Sequence, residues 1–298
     1  MEITLTKGCV TARADSHGAE LFSYLAEDGR QVLWGGSEAS WTGRSPVLFP
    51  MVGALADNTT RIGGKPYSMR QHGFARHLDY EVAEQTAESV TFAARASEET
   101  RAVYPFEFAL FITHTLTKHG FTTSYRVENT GDVPMPYCIG GHTGFCCPMA
   151  GGNFEDFEIS WPDKECVLLM PYSRAAAPQP IKAELLSDSV SELRVEHSLF
   201  DLGTLFLMQP QNSIITLQNP KTGIGVRMEY EGFPVLAMWS KEFANAPFIC
   251  LEPWHGMPDM DGESGEFEAK HFSITLAPGE SRTHSYEVTV LGKFAEEE

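Results

Sequence analysis

A carboxylate close to an aromatic ring, Glu252 and Trp254, forms the most chemically suggestive pair in this 298-residue chain. Glu252 follows the apolar run 248–251, which predicts a buried strand, and Pro253 and Gly256 predict the turn that stops it. Burial at such a strand end raises the pKa of a carboxyl group toward the range useful for proton transfer. Trp254 offers an aromatic face of the kind on which the C–H face of a sugar packs. The alternative is an ordinary glutamate exposed at a strand end.

A second candidate is His142, which follows two glycines in the segment 138–145, Cys-Ile-Gly-Gly-His-Thr-Gly-Phe. Glycines let the backbone approach a ligand closely, and histidine is the side chain most easily poised to donate a proton near neutral pH. Taken alone, His142 is equally consistent with a structural role. Because Glu252 lies far along the chain, only the fold can bring the two side chains together.

Three further stretches combine a cation or an imidazole with glycine, proline or polar residues, as loops at the edge of a core do. Their candidate binding residues are Arg44, Arg61, His72 and Arg76. The alternative for His72 is a hydrogen-bonded histidine in a turn. The alternative for the three arginines is a surface ion pair, which is a common arrangement for this residue.

The elements predicted to position these residues are strands. Apolar and polar residues alternate, as in half-buried strands, at 106–113, 271–276 and 286–291. Helical patterning is confined to 181–193, where Ser-Asp-Ser at 187–189 interrupts it. Many strands at short spacing, with turns that carry glycine and proline, predict an all-β fold, either a sandwich or a barrel. We find no repeat, linker or composition break, which predicts a single domain over residues 1–298.

Composition narrows the class of partner. The formal charge of −18 argues against nucleic acid or an anionic membrane as a partner, because both require clustered Lys and Arg. The negative net charge suits a soluble enzyme that acts on a neutral small molecule. It also allows a phosphorylated substrate, because arginines close to a phosphate outweigh acidic residues on a distant surface, whose charge is screened by salt. The N-terminus lacks the pattern of a signal peptide, and no apolar run reaches the length of a membrane span, which predicts a cytoplasmic protein.

The six cysteines lie in a long chain without Cys-x-x-Cys spacing, and several sit in apolar, strand-like surroundings. They therefore predict buried free thiols in a reducing compartment. The ligand spacings usual for zinc are missing, so the sequence predicts no structural metal.

Together these segments resemble the aldose 1-epimerase (galactose mutarotase) family, and within it the bacterial LacX-like branch. The motifs that carry the resemblance run in order along most of the chain: Arg-Ser-Pro-Val-Leu-Phe-Pro at 44–50, His-Gly-Phe-Ala-Arg at 72–76, Gly-His at 141–142 and Leu-Glu-Pro-Trp-His-Gly at 251–256. His-Gly-Phe-Ala-Arg together with Glu-Pro-Trp-x-Gly is a specific combination, whereas either motif alone is weak.

The resemblance implies a large antiparallel β-sandwich with a sugar cleft across one face. It also implies a cofactor-free interconversion of the α and β anomers of a hexose or hexose phosphate by a monomer or a homodimer. On the matching positions, Glu252 would remove the proton from the C1 hydroxyl and His142 would protonate the ring oxygen. We expect the two to face one hexose-sized cavity from opposite sides. The implied sugar-binding residues are His72, Trp254, Arg44, Arg61 and Arg76.

The chain departs from the family pattern at two places. Relatives tend to carry His-Pro-Tyr-Phe where this chain has His-Thr-Gly-Phe at 142–145, which changes one wall of the cleft. The substrate-binding aspartate of the family has only Asp201 as a candidate counterpart, so the sugar preference does not carry over.

Two other functions compete with the epimerase. A non-catalytic carbohydrate-binding domain of the same fold is the first, since fold does not define function. The presence of both His142 and Glu252 favours the enzyme, because a binding domain does not need an acid–base pair. The second is a metal-dependent, cupin-like isomerase using His142, Glu252 and His255. The missing His-x-His motif and the proline between Glu252 and His255 argue against it.

Overall fold

The computed structural model describes residues 1–172 and 177–292, so the end of the predicted 1–298 domain lies outside the described residues. Strands dominate this part of the chain, as the period-two pattern predicts. In chain order they are β1 (Glu2–Lys7), β2 (Val10–Asp15), β3 (Glu20–Leu25), β4 (Val47–Leu48), β5 (Thr59–Ile62), β6 (Lys65–Ser68), β7 (Glu81–Gln85), β8 (Ser89–Arg95), β9 (Phe108–Leu116), β10 (Gly120–Asn129), β11 (Met135–Tyr137), β12 (Ile139–Gly141), β13 (Thr143–Cys146), β14 (Glu158–Pro171), β15 (Glu184–Arg194), β16 (Gly203–Met208), β17 (Ile214–Gln218), β18 (Gly225–Glu229), β19 (Val235–Trp239), β20 (Phe248–His255), β21 (Ile274–Leu276) and β22 (Ser281–Leu291).

The helices of the described residues are short. Two are α-helical, α1 (Glu98–Val103) and α2 (His197–Phe200), and single 3-10 turns lie at Ala56–Asn58, Ala75–His77, Phe154–Asp156 and Phe267–Ala269. A capping box on Ser97 and Thr100 fixes the start of α1. Among the described residues, no helix is both long enough and apolar enough to cross a membrane.

The largest sheet is antiparallel, in the order β4-β12-β20-β19-β16-β14-β17-β18-β22-β10-β9-β8-β7, with β13 also paired to β20 and β15 to β14. A sheet this wide curls because its strands twist. Its two halves enclose a common core, in which Phe108 of β9 and Val288 of β22 join one continuous cluster with Leu217 of β17 and Leu251 of β20. The predicted all-β fold, a large antiparallel β-sandwich, is confirmed.

The alternating pattern predicts the burial within strands correctly. In β9, Phe108, Leu110 and Ile112 are buried, and Phe111, which breaks the alternation, points outward. There its ring packs against the guanidinium of Arg126, 3.8 Å from the ring centre to Cζ. A long aromatic side chain on the outer face is therefore covered by a cation rather than by the core.

The weak helical pattern at 181–193 is a wrong prediction. The segment forms β15, which pairs antiparallel with β14 through several register shifts. Ser187, Asp188 and Ser189 have low helix propensity, and β14 is a long strand whose free edge supplies backbone partners. Tertiary hydrogen bonding therefore overrides the local spacing of apolar residues.

The end of β20 is also different from the prediction. The strand does not stop before Pro253 but continues to His255 and ends at Gly256, so Glu252 lies inside the strand rather than at its rim. Gly256 has a φ of +128°, and a Cβ there would come within 2.6 Å of Cys138. Only glycine meets both conditions, which explains why the strand ends at this residue.

Candidate active site

A cavity of about 470 Å³ opens over β14, β16, β19 and β20 of the large sheet. This volume is within the range of small-molecule binding sites. Five of the residues expected from the sequence line it: His72, Arg76, His142, Glu252 and Trp254. The other polar and aromatic residues of the wall are Trp41, Gln71, Tyr172, Gln179, Thr204, Trp239, Lys241 and Glu242.

Glu252 and His142 meet because their strands are in register. On one side of β20, Thr143 pairs with Leu251 and Gly140 pairs with Trp254, which places His142 directly opposite Glu252. Directly opposed residues on antiparallel strands have side chains in contact range. The Nε2 atom of His142 lies 3.3 Å from Oε2 of Glu252, and both side chains are buried.

Pro253 explains the gap between β12 and β13 at this position. Proline has no N–H to donate to a neighbouring strand, so the ladder is interrupted where Pro253 faces the β12–β13 junction. On its other side, Pro253 remains in register with Leu236 of β19. The contact between His142 and Glu252 therefore lies at a local interruption of an otherwise continuous sheet.

The pair is not arranged as expected from the sequence. We expected an acid and a base on opposite sides of the cavity, whereas the structure places them in contact on one wall. This arrangement suits a hemiacetal, because its ring oxygen and its hydroxyl are bonded to the same carbon. Two groups that act on these neighbouring oxygens must themselves be neighbours.

Aromatic rings hold the imidazole of His142 in place. The ring of Trp41 stacks on it with centroids 5.1 Å apart, and Trp239 and His72 contact it edge-on at 5.6 and 5.5 Å. Burial among these groups lowers the pKa of His142 to about 3, and the nearby charge of Arg76 acts in the same direction. Without a ligand, His142 is therefore neutral at pH 7.

Burial has the opposite effect on the carboxyl group. The pKa of Glu252 is raised well above its ordinary value because the charged form loses its hydration, and the indole N–H of Trp254 opposes this rise. That indole makes no hydrogen bond of normal geometry with a described residue, and neither does Oε2 of Glu252. Burial thus favours the neutral forms of both members of the pair.

His72 presents a defined proton to the cavity. Its Nδ1 accepts a hydrogen bond of 3.1 Å from the backbone N–H of Gly53, so the proton of the neutral ring is on Nε2. Nε2 lies 3.2 Å from the side-chain amide of Gln71. Because Nε2 is the donor, this amide must turn its oxygen toward the ring. Burial lowers the pKa of His72 well below its ordinary value, which keeps this arrangement at pH 7.

Of the three arginines predicted to bind sugar, the structure brings only Arg76 to the cavity. Arg44 instead forms an ion pair of 2.8 Å with Glu20 and lies over the ring of Phe22. Arg61 pairs with Glu266 at 2.6 Å. Arg44 and Arg61 therefore form ion pairs, which was the alternative to sugar binding in the sequence analysis. They do so because acidic side chains lie within reach on neighbouring segments.

Asp201 also lies outside the set of lining residues. Its carboxylate accepts a hydrogen bond of 2.6 Å from the backbone N–H of Phe243, which anchors the loop that carries Lys241 and Glu242 into the cavity wall. Sequence reasoning missed Lys241 and Glu242, as well as Trp41 and Tyr172. None of these residues belongs to a motif, so no local signal marked them.

His255 is not close to the acid–base pair. It is three residues after Glu252 on β20, so its side chain points to the opposite face of the sheet. There it packs against His284 with ring centroids 4.5 Å apart. The trio of His142, Glu252 and His255 required by a cupin-like isomerase is therefore not assembled.

Solved structures share this architecture. The galactose mutarotase related enzyme from Lactobacillus acidophilus matches with a TM-score of 0.90 and 29% identity, covering 99% of this chain and 100% of that chain. A galactose mutarotase-like protein from Lactobacillus casei ATCC 334 matches with a TM-score of 0.88 and 29% identity, covering 97% and 100%. The fold is thus that of the galactose mutarotase-like class.

A family model described as aldose 1-epimerase matches residues 1–289, so the chain belongs to the aldose 1-epimerase family. Among curated proteins, it is similar to the chromosomal protein LacX of Lactococcus lactis subsp. lactis. The two are 29% identical over 299 residues, which cover 98% of this chain and 100% of LacX. The resemblance to the family and to its LacX-like branch, inferred from four motifs, is confirmed.

Proposed function

We propose that the protein is an aldose 1-epimerase that interconverts the α and β anomers of a hexose or a hexose phosphate. The observation that carries this proposal is the contact of 3.3 Å between His142 and Glu252 on the wall of a cavity large enough for a hexose. A non-catalytic binding domain has no use for two buried ionisable groups in contact, because their burial costs free energy.

The pair becomes active through one proton shift. Burial favours a neutral carboxyl and a neutral imidazole, and transfer of one proton across the 3.3 Å contact converts them to carboxylate and imidazolium. Glu252 then removes the proton from the C1 hydroxyl while His142 donates its proton to the ring oxygen. The C1–O5 bond breaks, the C1–C2 bond rotates, and the reverse transfers close the ring as the other anomer.

The surrounding residues orient the sugar and stabilise charge. When a sugar is bound, the Nε2–H of His72 exchanges the amide of Gln71 for the ring oxygen, which gains negative charge as the ring opens. The indole of Trp254 offers an apolar face to the sugar. Arg76 and Lys241 supply positive charge for hydroxyl groups or a phosphate.

Saturation-transfer NMR on glucose, galactose and glucose 6-phosphate tests the proposal. We expect the protein to accelerate anomer exchange of at least one of the three above the rate in buffer. Exchange confined to the phosphorylated sugar would assign the phosphate to Arg76 and Lys241. Exchange at the rate in buffer for all three sugars, with sugar binding intact, would establish the binding domain instead.

A further inference from the structure

Cys250 lies close to the proposed acid–base pair of Glu252 and His142, and the three residues together are potential metal ligands. One donor atom from each lies within 4.8 Å of the other two, and all three residues are buried. Cys250 and Glu252 are two residues apart on β20, so their side chains project from the same face of the sheet. His142 lies opposite Glu252 and diagonal to Cys250 on the adjacent chain segment.

The spacing of these atoms is close to that of a tetrahedral zinc site. Zinc bonds to nitrogen and oxygen at about 2.0–2.1 Å, so a tetrahedral pair of such ligands is about 3.3 Å apart. The distance between Nε2 of His142 and Oε2 of Glu252 is 3.3 Å. With a zinc–sulfur bond of about 2.3 Å, the thiol has to approach by on the order of 1 Å at most.

The movement of the thiol would take place inside a packed cluster, in which Trp34, Trp41 and Trp239 lie against Cys250 and Phe248. Cys250 is paired across the sheet with Gly144, and the side chains of Trp34 and Trp41 cover that glycine, 3.1 and 3.4 Å from the position of an added Cβ. On its other side Cys250 is paired with Trp239 of β19. Cys250 is a buried free thiol, so no disulfide has to be broken for it to bind a metal.

One carboxylate oxygen favours a cation, whereas the nearby charge of Arg76 and the burial that raises the pKa of the Cys250 thiol oppose one. Oε2 of Glu252 is a buried acceptor without a hydrogen-bond partner among the described residues. A dication would compensate the negative charge that burial otherwise disfavours on this carboxylate, and it would displace the thiol proton of Cys250 to solvent. His142 is already neutral, as a metal ligand has to be.

We propose that Cys250, Glu252 and His142 bind a thiophilic divalent cation, with zinc as the representative, in competition with the sugar. A set of thiolate, imidazole and carboxylate selects zinc or cobalt over magnesium and calcium. The fourth position faces the cavity and takes a water molecule. A bound ion occupies both the acid and the base, so it inhibits the epimerase. This inhibition rests on the proposed function, whereas the metal site itself does not.

The metal site is tested by titrating the protein with CoCl₂ and following the sulfur-to-cobalt charge-transfer absorption, with ZnCl₂ added as competitor. The background carries C9S and C166S, which remove the two exposed thiols. The decisive variant is C250S, and C138S is the matched control, because Cys138 is also a buried free thiol but belongs to no such trio among the described residues.

We expect C250S to lose the absorption band and to weaken zinc binding by roughly tenfold or more, while C138S retains both. The same zinc affinity for C250S and the unaltered background, or magnesium binding as tight as zinc binding, would overturn the site. These readouts need no epimerase activity, so they remain decisive if the proposed function fails.

The competition is tested by the ratio of anomer-exchange rates with and without ZnCl₂, measured within each variant. In the background protein we expect zinc to reduce the rate and saturating sugar to relieve the inhibition. In C250S, inhibition should require roughly tenfold more zinc. A higher exchange rate with zinc would overturn the inhibitory role and assign the metal as an activator.

Discussion

At the scale of single residues, the site depends on burial that moves two pKa values in opposite directions. Loss of hydration raises the pKa of Glu252 and lowers that of His142 to about 3. Each group alone would be held in its inactive neutral form. In the proposed mechanism, their contact of 3.3 Å allows one proton transfer that forms the charged pair, which neither residue provides by itself.

Replacing Glu252 by glutamine tests this arrangement. E252Q should reduce anomer exchange by roughly 10²–10⁴-fold, because the amide cannot accept the C1 hydroxyl proton. Sugar affinity should stay within about tenfold, since shape and neutral hydrogen bonding are retained. Saturation-transfer NMR measures the exchange, and titration calorimetry measures the affinity.

A surface carboxylate provides the control for this experiment. E266Q removes the half-buried partner of Arg61 outside the cavity and should leave exchange unchanged. An E252Q protein that keeps more than a tenth of the exchange rate would show that Glu252 is not the base.

At the scale of elements, the pairing register of β20 with the neighbouring strands positions Glu252. The predicted end of the strand at this residue plays no part, because β20 continues to His255. The proline that predicted a stop interrupts one ladder and leaves the other intact, and the pairing of the interrupted ladder resumes in the same register on both sides of Pro253. Gly256 then ends the strand where the backbone turns against Cys138. The spacing of apolar residues identified the strand, but the lateral partners determined its length.

Substitution of Gly256 measures how tightly this end is constrained. G256A should lower the free energy of unfolding by roughly 3–5 kcal/mol, because alanine is strained at a φ of +128° and its Cβ overlaps Cys138. Urea denaturation gives the value. The matched control is G279A, where φ is +75° and no atom lies within 4 Å of the added Cβ, and there we expect about 1–2 kcal/mol. Equal losses for the two variants would contradict the close contact with Cys138.

At the scale of the whole molecule, several buried histidines make the fold sensitive to acid. Burial lowers the pKa of His114 and His255 to about 4 and that of His284 to about 3. His284 is surrounded by His255, Arg282 and the hydroxyl of Tyr137, which lies 2.8 Å from its Nε2. Between the lowered and the ordinary pKa, the unfolded chain binds more protons than the folded one, so these groups weaken the fold as pH falls below 6.5.

The variant H284Q isolates this effect because glutamine keeps a polar partner for Tyr137 and does not titrate. The variant will lose stability at pH 7.5 through imperfect packing. At pH 5 the difference in free energy of unfolding between the original protein and the variant should shrink by on the order of 2 kcal/mol. The reason is that His284 binds a proton in the unfolded original protein at this pH, which destabilises its fold, whereas glutamine binds none. Thermal unfolding at the two pH values measures both deficits. A deficit that is the same at pH 5 and pH 7.5 would show that His284 is not held neutral.

The sequence by itself predicted most of the strands and an all-β fold, and its motifs predicted the family, the sandwich that the family implies and five of the residues that line the cavity. These follow from local information: alternation marks which side chains are buried, and the motifs around His72, His142 and Glu252 are contiguous. Only the tertiary structure decided that Glu252 faces His142 within one strand register, that Arg44 and Arg61 pair with acids elsewhere, and that 184–194 is a strand. The physical reason is that lateral hydrogen bonding and ion pairing depend on which distant segments become neighbours, and no local pattern of residues encodes that choice.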